Sequence, residues 1–328
     1  MQRKVGTALL VFKFSLFLFM MSSGWAQQRG NTTINPPQEI KGTIRVSGAW
    51  ALYPMMVAWG EEFRKIHPKV RIDLSAGGAG KGAADALAGL VDLGMVSRDI
   101  NPEEVKQGAF YIPVVKDAVF PTINERNPVL SKGLAQKGVR KQTFIDLWIT
   151  GKDLTWGAVA GTNSKETIRV YTRSDSCGAA ETWAQYLGKK RQEDLQGVGV
   201  YGDPGLAEAV RKDVLGMGYN NLNYAYDFKT GLPPKGLSII PIDVNENGKV
   251  DPEEDLRTKA QAIQAVATGR YPSPPARDLY LVTKDGFKGI TKSFILWILT
   301  DGQKHVDENG YIRLTKTQIA QSLKKLGT

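Results

Sequence analysis

The chain has 328 residues, 42% of them hydrophobic and 23% charged, with a formal net charge of +10. That is long enough for two domains and too apolar for disorder as the default, while the basic excess admits a small anion, an anionic envelope surface or nucleic acid as partner. No dense Lys/Arg run with interleaved aromatics supports nucleic acid, and a single cysteine, Cys177, with only His67 and His305, leaves little material for disulfides, zinc clusters or Cys/His catalysis.

Residues 1–26 read as a cleaved export signal. Arg3 and Lys4 lead an apolar run from Val5 to Met21 that Lys13 interrupts, and Gly24-Trp25-Ala26 sets small residues in cleavage register, with cleavage expected after Ala26. No cysteine stands near that point, so the expectation is a soluble periplasmic protein that is not a lipoprotein, with a net charge of +7 after removal of Arg3, Lys4 and Lys13. Residues 27–40, with Pro36-Pro37, read as a linker.

Gly42 to Val46 reads as the first strand, and Ser47-Gly48-Ala49-Trp50-Ala51 as a small-residue turn before a helix over Met55–Ile66 that His67-Pro68 ends. Val70, Ile72 and Leu74 alternate as in a half-buried strand. Ser75 to Gly82 then carries four glycines, and Ala83, Ala86, Leu87 and Leu90 share one face of the following helix. Such a turn suits either close helix packing or an anion on the unpaired N–H groups of the helix start. The spacing matches neither a P-loop nor a dinucleotide fingerprint, which leaves a small anion rather than a nucleotide. Asp92 to Arg98 reads as the next strand, Pro102 opens a helix, and Gly108 to Phe120 contains an apolar strand; Thr122 to Pro128 reads as a loop at a domain boundary.

Beyond Phe144 strands and helices alternate again: strand 168–171, helix 179–187, helix 205–213, strand and turn 215–226, strand 237–242, helix 253–269, strand 279–282, helices 293–299 and 314–326. That alternation predicts a mostly parallel α/β fold. Arg173-Ser-Asp175-Ser-Cys177-Gly178-Ala179 repeats the pattern of strand, small polar turn and helix; there an Arg fork, Ser hydroxyls and helix N–H groups converge, or Ser176 merely caps the helix and Arg173 is solvated.

Ser47-Gly48-Ala49 before Pro54, the Gly77–Gly82 turn, Val91-Asp-Leu-Gly94 through Ser97-Arg98, Arg173 to Gly178, Gly218-Tyr-Asn220, Arg277-Asp-Leu-Tyr280, and Gly302-Gln303 before Gly310-Tyr311 stand in a specific order. In that order the chain resembles the phosphate-binding subunits of ABC importers, the type II periplasmic binding proteins. The resemblance implies an α/β fold of two lobes, a Venus-flytrap, hinged by two crossing segments, here Tyr111–Phe120 and Tyr271–Thr283. Lobe I would span 41–120 with 270–328 returning to it, and lobe II 121–269. It also implies a dehydrated phosphate or similar tetrahedral oxyanion between the lobes, a permease partner in the inner membrane, a monomer and no organic cofactor. Carried across, the ligand site comprises Ser47, Ala49, Trp50, Ala51, Gly78, Ala79, Gly80, Ser97, Arg98, Arg173, Ser176, Cys177, Gly178 and Ala179. Ala79, Cys177 and Ala179 stand where the family pattern has hydroxyls, and Arg98 where many members have an Asp.

A second motif is independent of this. Asp243, Asn245, Asn247, Gly248 and Glu254 match D-x-[DN]-x-[DN]-G-x5-E at each of its five specified positions, so with Asp251 at the ninth residue and the Lys249 carbonyl they form a candidate structural Ca²⁺ loop. A strand is expected to enter it and a helix from about Pro252 to leave it.

Two other classes compete with transport: an oxyanion sensor or adhesion protein that keeps the fold, and an enzyme in which Cys177, at a helix start, has a lowered pKa and acts as nucleophile.

Overall fold

A computed structural model describes residues 40–328 with the exception of 189. The export signal and nearly all of the linker lie outside these residues.

Strands β1 (Gly42–Gly48), β2 (Val70–Ala76) and β3 (Leu93–Val96) alternate with helices α1 (Tyr53–Ile66) and α2 (Ala79–Leu87). β1 pairs in parallel with both β2 and β3. α1 begins at Tyr53-Pro54, where proline costs no helical hydrogen bond, and buries Met55, Met56, Trp59, Gly60 and Phe63. That face packs on the last helices of the chain: Phe63 lies against Phe294 and Trp297, and the Trp59 indole donates to the Gly302 carbonyl at 2.8 Å.

After a short helix α3 (Pro102–Lys106), the long strand β4 (Ala109–Asn124) leaves this first layer and enters a second. Its first half pairs with β11 (Ala276–Lys284), its second half with β8 (Gly216–Asn221) and β9 (Leu237–Ile239). The second layer also holds β6 (Arg169–Arg173), which pairs in parallel with β7 (Val198–Val200) and β8, while β5 (Val139–Arg140) and β10 (Ile242–Asp243) form a separate parallel pair. The sheet is therefore mixed rather than mostly parallel. Every ladder made by β4 and β11 is antiparallel, because these two strands cross between layers in opposite directions.

The apolar residues gather into two cores. One contains Ile44, Trp59, Met95, Val115, Leu281 and Phe294, and the other Phe120, Phe144, Trp148, Trp183, Tyr219 and Tyr226. We refer to the elements around them as lobes I and II. Thr122 to Asn124, expected in a loop, continues β4: Asn124 is buried and its amide donates to the Val210 and Arg211 carbonyls at 3.0 and 2.7 Å, which satisfies a polar side chain inside the sheet. The helix expected from 253 begins only at Lys259, after the Thr258–Gln261 capping box. No helix among the described residues is long and apolar enough to cross a membrane.

Candidate functional site

The glycine-rich stretch serves both of the purposes its composition allows, in different places. Gly82 packs α2 onto lobe I: a methyl group there would meet the Cα of Gly48 at 2.8 Å and overlap the Met95 carbonyl. Gly78 and Gly80 instead face lobe II, where Ser176 occupies the space their side chains would need. The Gly80 N–H donates to the Ser176 carbonyl at 3.2 Å. Gly178 meets Ser97 of lobe I in the same way, so the lobes close with backbone against backbone.

Three chain turns converge at this closure. The Gly77 and Gly78 N–H groups both donate to the Gly48 carbonyl, at 2.9 and 3.1 Å, and Ala49 donates to Met95 at 2.9 Å, which binds the ends of β1, β2 and β3 together. The N–H groups of Trp50, Ala51, Ala79, Gly178 and Ala179 carry no hydrogen bond to a described residue. Ala79 and Gly178 open α2 and the Gly178–Tyr186 helix, so the positive ends of two helix dipoles meet in the crevice. Buried N–H groups of this kind are the natural partners of an anion.

Arg173 projects from the end of β6, where the Tyr219 hydroxyl bonds the Thr172 hydroxyl at 2.7 Å and takes the Arg173 N–H at 3.3 Å. Its fully buried guanidinium is gripped by Asp175 at 2.7 and 2.6 Å and by Asp203 at 2.7 Å. Burial opposes its charge, but the carboxylates of Asp203 and Asp175 outweigh that and hold the pKa above its ordinary value. Asp203 was not singled out in the sequence, and no local spacing links it to Arg173.

Arg98 departs from its expected place. Its fork is bidentate to Glu104 on α3 at 2.9 and 2.7 Å, a near partner that also caps α3 through the Asn101 N–H. It lines a cavity of about 680 Å³ beside the hinge, and none of the turns at 49–51, 78–80 or 177–179 lines that cavity. The second guanidinium near the crevice is Arg277 on β11. It stands directly opposite Asp117 in the ladder with β4, at 3.4 Å, and donates to the Gly178 carbonyl at 3.0 Å and to Asn221. Burial pushes the Asp117 carboxyl up to about 6 even against Arg277.

Three hydroxyl and thiol expectations also change. Ser47 donates to Asp85 at 2.7 Å, away from the crevice. Ser176 is exposed and presents its carbonyl across the lobes, so the helix cap is Cys177, whose sulfur accepts from the Ala180 N–H at 3.3 Å. Burial pushes the Cys177 thiol up to about 12, the opposite of an activated nucleophile. Ser97 is buried against Gly178, on the lobe I side of the closure.

The Asp243–Glu254 loop folds on itself. Asp243 accepts from the Asn247 and Gly248 N–H groups at 3.0 and 2.9 Å, and Glu254 from Val244 and Asp251 at 2.7 and 3.1 Å. Asn247 accepts from the Lys249 N–H at 3.0 Å, and Gly248 takes φ +79 in the sharp turn. The Asp251 carboxylate is held by the Asn245 and Asn247 amides, both at 2.7 Å. No trio of acidic, His or Cys side chains among the described residues is gathered closely enough to hold a metal in this arrangement. The exit helix expected from Pro252 is a turn instead.

Two α/β lobes bridged by two strands, with dipole ends meeting at a buried crevice, define a protein built to close on a small ligand. The chain belongs to the PBP superfamily, whose domain model matches residues 29–302. It is similar to the phosphate-binding protein PstS of Bacillus subtilis, 26% identical over 95% of this chain and 96% of that one. It is also similar to protein SphX of Synechococcus elongatus, 25% identical over 84% of this chain and 78% of that one. A substrate-binding protein from Clostridium perfringens, solved with phosphate bound, shares the fold with a TM-score of 0.68 at 23% identity, over 84% of this chain and all of that one.

Proposed function

We propose that the protein captures phosphate, or a tetrahedral oxyanion of the same size, between its lobes and delivers it to an ABC transporter permease. The observation that carries this is the meeting of unpaired N–H groups from the Trp50–Ala51 turn and two helix starts, Ala79 and Gly178, at one closed crevice beside Arg173. Relatives that align over most of the chain are phosphate-binding proteins. The ligand set that fits is Trp50, Ala51, Ala79, Ser97, Gly178 and Ala179, with Arg173 fixing the local field behind them.

Binding without catalysis fits a thiol that stays protonated at neutral pH. Residues 1–26 would export the protein to the periplasm with cleavage after Ala26 and no lipid anchor, where it acts as a monomer. Calorimetric titration of the mature chain with phosphate, sulfate, molybdate and tungstate tests the reading. Saturable 1:1 binding of phosphate is expected, and the absence of binding to all four would sink it.

We also propose that the Asp243–Glu254 loop takes one structural Ca²⁺. Its support is the agreement at five specified positions, with Asp251 at the ninth, together with Asp243, Glu254 and Gly248 already in loop geometry. The donors would be Asp243, Asn245, Asn247, the Lys249 carbonyl, Asp251 and Glu254, an all-oxygen set suited to a hard cation. The ion would replace the amide contacts that now hold Asp251.

A further inference from the structure

Trp50 belongs to lobe I and touches lobe II in two ways. Its indole lies against Gly202, where a first side-chain carbon would sit 3.3 Å from the ring, and it meets the Tyr201 ring edge-on, with centroids 6.3 Å apart and planes at 89°. Its carbonyl accepts from the Tyr224 hydroxyl at 3.3 Å. Tyr53 leans on the same indole from lobe I at 6.3 Å. Gly202 makes this possible by taking φ +73 without a side chain, and its N–H donates to Asp175 at 3.0 Å, the carboxylate that grips Arg173. One residue thus carries an anion-facing N–H on its backbone and a lobe-to-lobe seam on its ring. The indole N–H is buried with no partner among the described residues, so the ring's share of the seam is packing alone, beside the hydrogen bond that the Trp50 carbonyl accepts.

We propose that Trp50 is a positioning residue whose clasp on Gly202 and Tyr201 sets the residence time of the bound anion. This rests on the oxyanion reading above. An anion meets the open protein, in which the seam does not exist, so association does not depend on it. Release requires the seam to part, so its strength appears in the dissociation rate.

Release of radiolabelled inorganic phosphate from the mature chain tests this. In Trp50→Ala the release rate should rise about tenfold or more while the association rate stays within about threefold, the pattern in which interface changes act on dissociation. Trp50→Phe, which keeps a ring against Gly202, should recover most of the loss. Tyr201→Ala, at a position 59% exposed where folding is not at stake, should give a smaller rise. Unchanged release in both alanine variants, or a loss confined to association, overturns the clasp. If the unmodified protein takes up no phosphate, the same release measurement is made with whichever of sulfate, molybdate and tungstate it binds; if it binds none of them, the oxyanion reading fails and the clasp fails with it.

Discussion

The backbone N–H of Gly80 donates to the carbonyl of Ser176 at 3.2 Å, joining the start of α2 in lobe I to the turn before the Gly178–Tyr186 helix in lobe II. A bond of this kind exists only when the lobes are shut, and it requires two chains to approach without side chains between them. The same holds a few residues on, where Gly178 rests on Ser97.

Gly178→Ala should therefore block closure and leave the lobes themselves intact. The added methyl would overlap the Ser97 carbonyl oxygen, a backbone atom that cannot swing aside. Phosphate affinity should fall about a hundredfold, roughly 2.7 kcal/mol, while the ligand-free protein loses about 1 kcal/mol or less. Calorimetry and thermal unfolding of the same preparation check both halves. Undiminished affinity would mean that this closed contact is not the liganded state.

Arg173→Ala should act on the fold before it acts on the ligand. The guanidinium neutralises Asp175 and Asp203, both buried, and its removal leaves two desolvated carboxylates without a counter-charge. Breaking such a buried pair costs about 3–5 kcal/mol. Urea unfolding should show that loss, and adding Asp203→Asn should return part of it. A variant as stable as the parent that no longer binds phosphate would place Arg173 on the ligand alone.

The strand, turn and helix units that build the crevice were readable because each is local: alternation in β2, an apolar face on α2, and small residues between. What escaped was set by partners distant in sequence or hidden by polarity. Arg98 is expected in the crevice only because the resemblance puts the end of its strand there, but Glu104 on α3 binds its fork outside it. Asp203 reaches Arg173 only because β6 and the Gly202–Lys212 helix are neighbours in the folded lobe. Thr122 to Asn124 looked like a loop because polar residues inside a sheet are legible only once their partners, such as the Val210 carbonyl, are known. The start of the helix at Lys259 was readable from Thr258 and Gln261, a capping box that the acidic run before it obscured.

Calcium should raise the stability of the protein if the Asp243–Glu254 loop binds it. An ion that binds only the folded state adds about 2.7 kcal/mol at a hundredfold excess over its Kd. The melting temperature should rise with Ca²⁺ and not with NaCl at matched ionic strength, and Asp243→Ala with Glu254→Ala should abolish the difference. An unchanged melting curve and no metal by elemental analysis would remove the site.

Asp117 should make the fold less stable as pH rises out of the acid range, against the usual direction for a carboxylate. Its side chain is fully buried at the point where β4 crosses between the lobes, and burial outweighs the charge of Arg277 and the Ala118 and Leu222 N–H groups, so the folded pKa stands at about 6 against 3.8 in the unfolded chain. Between those values the folded protein binds the proton more tightly than the unfolded one. The contribution of Asp117 is therefore complete below about pH 4, declines as pH rises through about 6, and is level above pH 7, a total change of about 3 kcal/mol. Asp117→Asn cannot titrate and removes this slope, although it also deprives Arg277 of its counter-charge at every pH. Denaturant unfolding of both proteins from pH 4 to pH 8 isolates the effect, since other groups cancel in the difference. The stability of the parent relative to the variant should fall by about 2 kcal/mol between pH 4 and pH 6.5 and become level above about pH 7. A difference that does not change with pH would mean that Asp117 ionises at an ordinary value and that the Arg277 pair at the hinge is stronger than its 3.4 Å separation implies.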